Sequence, residues 1–460
     1  MTRFDSTPTA PEETERFRAY TTAHLDELTA RGGLDEVERL ETRAVATVLP
    51  FRVNAYVVEE LIDWSNVPDD PIFRLTFPRP DMLPQQDVSR MVALLERGAS
   101  RKELNAAANE IRAKLNPHPA GQMTLNKPET EEEPLDGVQH KYDETVLFFP
   151  KQGQTCHAYC TYCFRWAQFV GDPELKMASG DIERLVGYLN VHPEVTSVLI
   201  TGGDPMIMKE GVLEQYLEPL LRLEQLESIR IGSKALAYWP QRFVTDTDAD
   251  DTLRLFERVV ESGKNLAFMA HFSHPTEMAT DILDEAVRRI RDTGAVIRTQ
   301  APLIRTVNDD PQVWETMWRA QVRAGMVPYY MFVERDTGPQ DYFAVPLARA
   351  YGIFTDAYRN VSGLARTARG PSMSATPGKV CVDGITEVAG EKVFVLSLIQ
   401  ARDPELVNEP FFARYDDRAT WLFDLQPALG ATHFPWEAAS PTDTPELIDV
   451  PASDHASQHP

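Results

Sequence analysis

The sequence predicts an α/β protein: a partial (β/α)6-type barrel of parallel strands, preceded by an N-terminal helical region. Three observations predict it. Short apolar runs alternate with amphipathic helical stretches from residue 145 to residue 333. Glycines and isolated polar residues recur where those runs end, the face on which parallel barrels carry function. Upstream, apolar residues fall at the three- and four-residue spacing of helices.

Taken in order, residues 1–11 are polar with Thr and Pro and are expected to be disordered. Residues 12–128 form the helical region, with Val37, Leu40, Ala44, Val45 and Val48 on one face and Val88, Met91, Val92 and Leu95 on another. The stretch 66–71 (Asn-Val-Pro-Asp-Asp-Pro) breaks helices and reads as a loop. The run of glutamates ending at Pro134 marks an acidic linker, 129–139. The barrel is placed at 140–400, with strands at 145–149, 197–201, 228–231, 266–270, 295–298 and 328–333. Helices are expected at 181–189, 212–223, 250–262, 280–293 and 312–324. Residues 401–439 form a C-terminal extension and 440–460 a disordered, Pro-containing tail.

Composition narrows the partners. The 460 residues are 43% hydrophobic and 25% charged, the balance of a globular chain rather than a disordered one. Asp and Glu number 70 against 46 Lys and Arg, a net charge of −24. That sign argues against nucleic acid or an anionic membrane as partner, while a local basic pocket could still take a small anion. No apolar run is long enough to span a bilayer, and the first eight residues lack the apolar core of a secretory leader. Three of the four cysteines fall within eight residues, which suits a reducing cytoplasm and a thiolate site better than a disulfide scaffold.

That triplet, Cys156, Cys160 and Cys163, has the spacing C-x3-C-x2-C. Three thiolates on one loop after a strand can converge on a soft-metal centre. Zinc normally takes a fourth ligand, and Cys381 is remote in sequence. A [4Fe–4S] cluster with one open iron fits better; a non-catalytic zinc site is the alternative. His157 is expected to point away from the centre, and Cys381 to be a buried, unligated thiol.

The triplet after the first barrel strand resembles the radical SAM superfamily. The resemblance implies that the open iron holds S-adenosylmethionine, and that Gly202, Gly203 and Asp204, in Thr201-Gly-Gly-Asp-Pro205, bind its methionine end. Further collinear stretches resemble lysine 2,3-aminomutase and its relatives: Asp69-Asp-Pro71, His140-Lys-Tyr142, Cys163-Phe-Arg165, Arg230-Ile-Gly-Ser233, Pro240-Gln-Arg242, His271-Phe-Ser-His-Pro275, Gln300, Val307-Asn-Asp309, Pro328-Tyr-Tyr330 and Pro377-Gly-Lys379. The similarity runs from roughly residue 40 to 400. It implies an isomerase that moves an amino group from C2 to C3 of an amino acid, using pyridoxal phosphate (PLP) as well.

On that resemblance Lys379 carries PLP as a Schiff base, with Lys141 and Tyr142 beside it. Arg165 grips the substrate α-carboxylate and Gln300 lies near the adenosyl group. His271 and His274 are either cofactor-orienting or satisfied strand-end histidines. Relatives specific for lysine carry two carboxylates for the distal ammonium. Ungapped matching puts Arg335 at one such position and small polar residues at the other, which favours a distal carboxylate, and glutamate, as substrate. A one-residue slip would instead turn Asp336 inward and restore a basic substrate. A PLP-independent radical SAM enzyme is the remaining alternative. The resemblance further implies an electron donor such as flavodoxin or ferredoxin and a homo-oligomer.

Overall fold

The computed structural model describes residues 17–129, 134–171 and 176–437. The disordered segments expected at 1–11 and 440–460, and residues 130–133 of the acidic linker, lie outside the described residues.

The N-terminal region is built on α1 (Leu25–Arg31), α2 (Glu36–Val48), α3 (Pro71–Thr76), α4 (Gln85–Glu96) and α5 (Arg101–Lys114). Local sequence starts these helices. Asp35 with Glu38 and Ser100 with Glu103 form reciprocal capping boxes at α2 and α5. Asp70 accepts the Phe73 N–H at 2.7 Å to cap α3, with Pro71 at its first position. The region is not wholly helical. A two-stranded ribbon pairs β1 (Ala19–Thr21) with β2 (Arg52–Asn54), each too short to show an alternating pattern.

The main sheet has eleven strands in strictly sequential order. Its centre is six parallel strands: β4 (Thr145–Phe148), β5 (Ser197–Ile200), β6 (Ser228–Ser233), β7 (Asn265–His271), β8 (Val296–Leu303) and β9 (Val327–Val333). Helices follow them in turn: α6 (Ile182–Asn190), α7 (Glu210–Leu221), α8 (Ala235–Tyr238) with α9 (Ala249–Glu261), α10 (Asp281–Asp292), α11 (Pro311–Arg323), and α12 (Gln340–Phe343) with α13 (Leu347–Arg359). In α10 the buried residues are Leu283, Ala286, Val287 and Ile290, the stripe that lays a helix on a sheet. This is the partial barrel the sequence predicts.

At one edge β3 (Val138–Tyr142) pairs antiparallel with β4, so regular structure starts before residue 140. At the other, β10 (Arg369–Ser374) runs parallel to β9 and is followed by antiparallel β11 (Gly378–Val388), β12 (Glu391–Ala401) and β13 (Pro410–Arg414). The segment read from sequence as an extension beyond residue 400 thus contributes a strand to the same sheet. The sheet curls until its two ends meet across side chains. Lys141 Nζ donates to the Ala375 carbonyl, and Gln400 Nε2 donates to Glu144 Oε1 at 2.6 Å. Among the described residues no helix is long and apolar enough to cross a membrane.

Candidate active site

One cavity of about 360 Å³ occupies the barrel mouth, where the six parallel strands end. Its wall includes Cys156, Cys160, Cys163, Gly202, Gly203, Asp204, Gln300, Lys141, Tyr142, Arg165, Arg335 and Lys379. The fold therefore brings these sequence-predicted residues together on one wall.

The cysteine loop leaves β4 and is held from two sides. From the N-terminal region, the Arg52 and Leu75 carbonyls accept the N–H groups of Tyr159 and Thr161 at 2.8 and 2.9 Å. From the barrel, the turn after β5 presses against residues 153–155: Gly203 N–H donates to the Gly153 carbonyl (3.0 Å) and Asp204 N–H to the Thr155 carbonyl (2.9 Å). This approach requires glycine. A Cβ on Gly203 would lie 2.6 and 2.7 Å from the C and N atoms of Thr155, and Gly202 has φ +156°.

The Asp204 carboxylate is spent on the protein itself. It accepts from Ser233 Oγ (2.8 Å), the Lys234 N–H (2.9 Å) and the Met206 N–H (2.9 Å), and it faces His157 Nε2 at 3.1 Å. His157, fully buried, turns its Nε2 to that carboxylate. What this turn offers the cavity is the backbone of Gly202 and Gly203 rather than a free carboxylate.

Burial pushes all three thiols up, Cys160 to about 11 and Cys163 to about 12, and mutual repulsion raises Cys156 and Cys163 further. A site that penalises thiolates this strongly suits a metal centre whose positive charge would compensate them. Among the described residues no three His, Cys, Asp or Glu side chains gather as tightly as a single metal ion needs. A four-iron cluster takes one thiolate at each of three corners and accepts a more open arrangement.

The rest of the wall is basic. Six Lys and Arg line it against two acids, in a chain that is acidic overall. Of these, Lys234 is taken by Glu277 at 2.7 Å. Arg165, Arg230 and Arg335 each have a buried nitrogen without a hydrogen-bond partner: Arg165 Nη1, Arg230 Nε and Arg335 Nε. Burial lowers the Arg165 guanidinium to about 9. Arg165 and Arg335 both lie over the Phe164 ring, 5.0 and 5.1 Å from its centre. Buried guanidiniums with spare donors fit anionic ligands such as carboxylates and a phosphate.

Arg335 follows β9 and its loop is pinned behind it. Asn116 Nδ2 donates to the Asp336 carbonyl (2.6 Å), and Trp166 Nε1 to Thr337 Oγ1 (3.0 Å). Arg335 and Glu334 line the cavity, whereas Asp336 does not. Lys379 sits on β11 with Nζ 4.2 Å from the centre of the Tyr330 ring. Burial, then Arg230 and Arg369, bring its amine down to about 7. Lys141 is lowered to about 6, again mainly by burial. Cys381 is buried and does not line the cavity.

His271 lines the cavity at 3.4 Å from the Tyr162 hydroxyl, whereas His274 turns to Thr276 and caps a short 3₁₀ helix. Sequence reasoning missed Arg230, Lys234, Glu334 and Gln400 as wall residues. Arg230 lay inside a quoted motif and Glu334 beside Arg335. Gln400 stood on a strand that hydrophobic spacing left unassigned.

Known relatives cover much of this chain. It is 30% identical to a putative L-lysine 2,3-aminomutase of Aquifex aeolicus (strain VF5) over 392 residues, 85% of this chain and 91% of that one. It is 26% identical over 298 residues to the L-lysine 2,3-aminomutase of Methanococcus maripaludis, 65% of this chain and 58% of the relative. Against the Bacillus subtilis L-lysine 2,3-aminomutase the match is 27% over 237 residues, 52% of this chain and 48% of that one. No protein-family model matches the chain. Among solved structures, Streptococcus suis SuiB bound to S-adenosylmethionine aligns at a TM-score of 0.34 and 11% identity, covering 59% of this chain and 55% of that one.

Two outcomes are expected. Gly203→Ala keeps native secondary structure by circular dichroism, since the overpacking cost of about 1–3 kcal/mol is local. It lowers the iron and sulfide bound after anaerobic reconstitution; full loading would mean that the close approach to Thr155 is dispensable. Second, Lys379 is protonated below its lowered pKa and free above it. Its acylation should therefore be half-maximal near pH 7, read by mass spectrometry, and a midpoint near the ordinary lysine value of about 10 would contradict the burial argument.

Proposed function

The chain belongs to the lysine 2,3-aminomutase family of radical SAM enzymes, and from that premise we propose that it moves the amino group of an acidic amino acid, glutamate first, from C2 to C3. Membership in the family implies S-adenosylmethionine and a [4Fe–4S] cluster. In this reading Cys156, Cys160 and Cys163 hold the cluster, and Gly202, Gly203 and Gln300 hold the nucleoside cofactor with Asp204 bracing their turn. PLP sits on Lys379 with Lys141 and Tyr142 beside it. The cluster and S-adenosylmethionine supply one-electron hydrogen abstraction, and PLP supplies an electron-accepting carrier for the migrating nitrogen.

The protein's own groups do the rest. Lys379, largely unprotonated at slightly alkaline pH, is a nucleophile that can take up and give back a carbonyl carbon. Arg165 binds the α-carboxylate beside the cysteine loop. Arg335 binds the side-chain carboxylate. Phe164 stacks on both and restricts their swing. The enclosing wall keeps water from reactive species.

The observation that carries the choice of substrate is the pair of guanidiniums of Arg165 and Arg335, each with a buried, unpartnered nitrogen on one cavity. A dicarboxylate satisfies both. Glu334 on the same wall favours a second reading, a basic amino acid. Burial holds its carboxyl well above the usual range, which makes it a weak partner for an ammonium. The reading also calls for a one-electron donor of flavodoxin or ferredoxin type and a cytoplasmic setting.

The test is anaerobic incubation with PLP, S-adenosylmethionine, reductant and a panel of amino acids, followed by NMR. The 3-amino isomer of glutamate is the expected product; turnover of lysine with glutamate inert would overturn the reading. Arg335→Leu leaves a buried carboxylate without its cation, so kcat/KM for glutamate should fall at least about 100-fold, or roughly 3 kcal/mol. Lys379→Ala should abolish the visible absorbance of bound PLP. Unchanged absorbance in that variant would remove Lys379 from the site.

A further inference from the structure

Lys379 has a neighbour that family resemblance does not single out. Its Nζ donates to Gln400 Oε1 at 3.0 Å, directly across the β11–β12 pairing. The other end of that amide, Nε2, donates to Glu144 Oε1 at 2.6 Å. Glu144 is exposed, in the tight turn between β3 and β4 at the far end of the sheet. Its place is fixed, because its carbonyl accepts the N–H groups of Thr196 and Ser197 at 3.2 and 3.1 Å.

The chemistry of the three groups gives this chain a direction. A carboxylate can only accept, so Glu144 requires the NH₂ end of Gln400. The amide oxygen is left facing Lys379, where it accepts from the amine. The remaining charges around Lys379 are all basic: Arg230 from β6, Arg369 from β10 and Lys141 from β3. The Tyr329 and Tyr330 hydroxyls come from β9. Among the described residues, Glu144 is the carboxylate that acts on the Lys379 amine.

We propose that Glu144 and Gln400 form a positioning relay for Lys379, in which an exposed carboxylate outside the cavity sets, through one amide, the orientation and protonation of the amine inside it. The same relay bridges the two ends of the curled sheet, so closure of the barrel and readiness of Lys379 are one event. Glu144 touches no reacting atom, and Gln400 acts only through the Lys379 amine that it accepts from. The importance of the amine rests on the reading of Lys379 given above; the relay itself can be measured without PLP.

The experiment is competitive acetylation of the full chain with acetic anhydride across pH 5–11, with the Lys379 peptide followed by mass spectrometry. Glu144→Gln removes the charge and lets the Gln400 amide turn over, and Gln400→Leu removes the acceptor. Both should move the Lys379 midpoint down by about one pH unit. Gln400→Glu puts an anion against the amine and should move the midpoint up by a similar amount. A merely structural seam would lower the thermal midpoint of all three variants and leave the Lys379 midpoint unmoved, and that result overturns the relay. So does a downward shift in Gln400→Glu. Glu144→Gln alters only an exposed side chain, so the folded chain remains available for the measurement. Should the midpoints move as stated while PLP never attaches to Lys379, the relay stands and the PLP reading falls. Should PLP attach while the midpoints stay unmoved, the PLP reading stands and the relay falls.

Discussion

The buried carboxylate of Asp204 is the interaction on which the site depends. It meets the Ser233 hydroxyl, the Lys234 and Met206 N–H groups and His157. Those partners belong to four places: the end of β6, the start of α8, the turn after β5 and the cysteine loop. A carboxylate this buried is costly unless its hydrogen bonds are complete, and losing one partner from such a knot costs about 1.5–3 kcal/mol. The alignment of the cysteine loop with the glycine turn is therefore held by a requirement to satisfy charge, and the glycines only make the approach sterically possible.

Around that knot the cavity combines two unfavourable features. Three thiols sit half-buried beside one another, and three guanidiniums each leave a buried nitrogen unpaired. Neither feature stabilises the empty fold. A buried cation without a partner lowers stability, and a buried thiolate is suppressed. Both become favourable once ligands of the opposite charge arrive. A cationic metal centre answers the thiols, and carboxylates or a phosphate answer the arginines. The net charge of −24 belongs to the exterior and says nothing of this interior.

The stretches that resemble the aminomutases divide by physical role. Asp70 caps α3, and Arg242 binds the Met206 and Met208 carbonyls and Asp248 behind the glycine turn. Asn308 Nδ2 bonds the Ser273 and Pro302 carbonyls. These residues build the frame and never reach the cavity wall. Cys163-Phe164-Arg165, Arg230 and Lys379 do reach it. A collinear match alone cannot separate the two sets, because both are equally constrained by the fold.

The sequence by itself determined the parallel barrel, since six apolar runs alternating with helical stripes admit few other packings. It also determined the candidate site, because cysteines three and four apart on one loop must stay together. Tertiary structure alone decided what depends on residues distant in sequence. It placed Arg335 rather than Asp336 on the wall, through tethers from Asn116 and Trp166. It spent Asp204 on the frame, and it joined Lys379 to Gln400 and Glu144 across strands that periodicity did not reveal. The hairpin of β11 and β12 turns through Ala389 and Gly390, both at positive φ, and an alanine gives no signal for that conformation. Hydrophobic spacing is a local property and can be read along the chain. The direction of a polar side chain is set by whatever charge or carbonyl the fold brings opposite it.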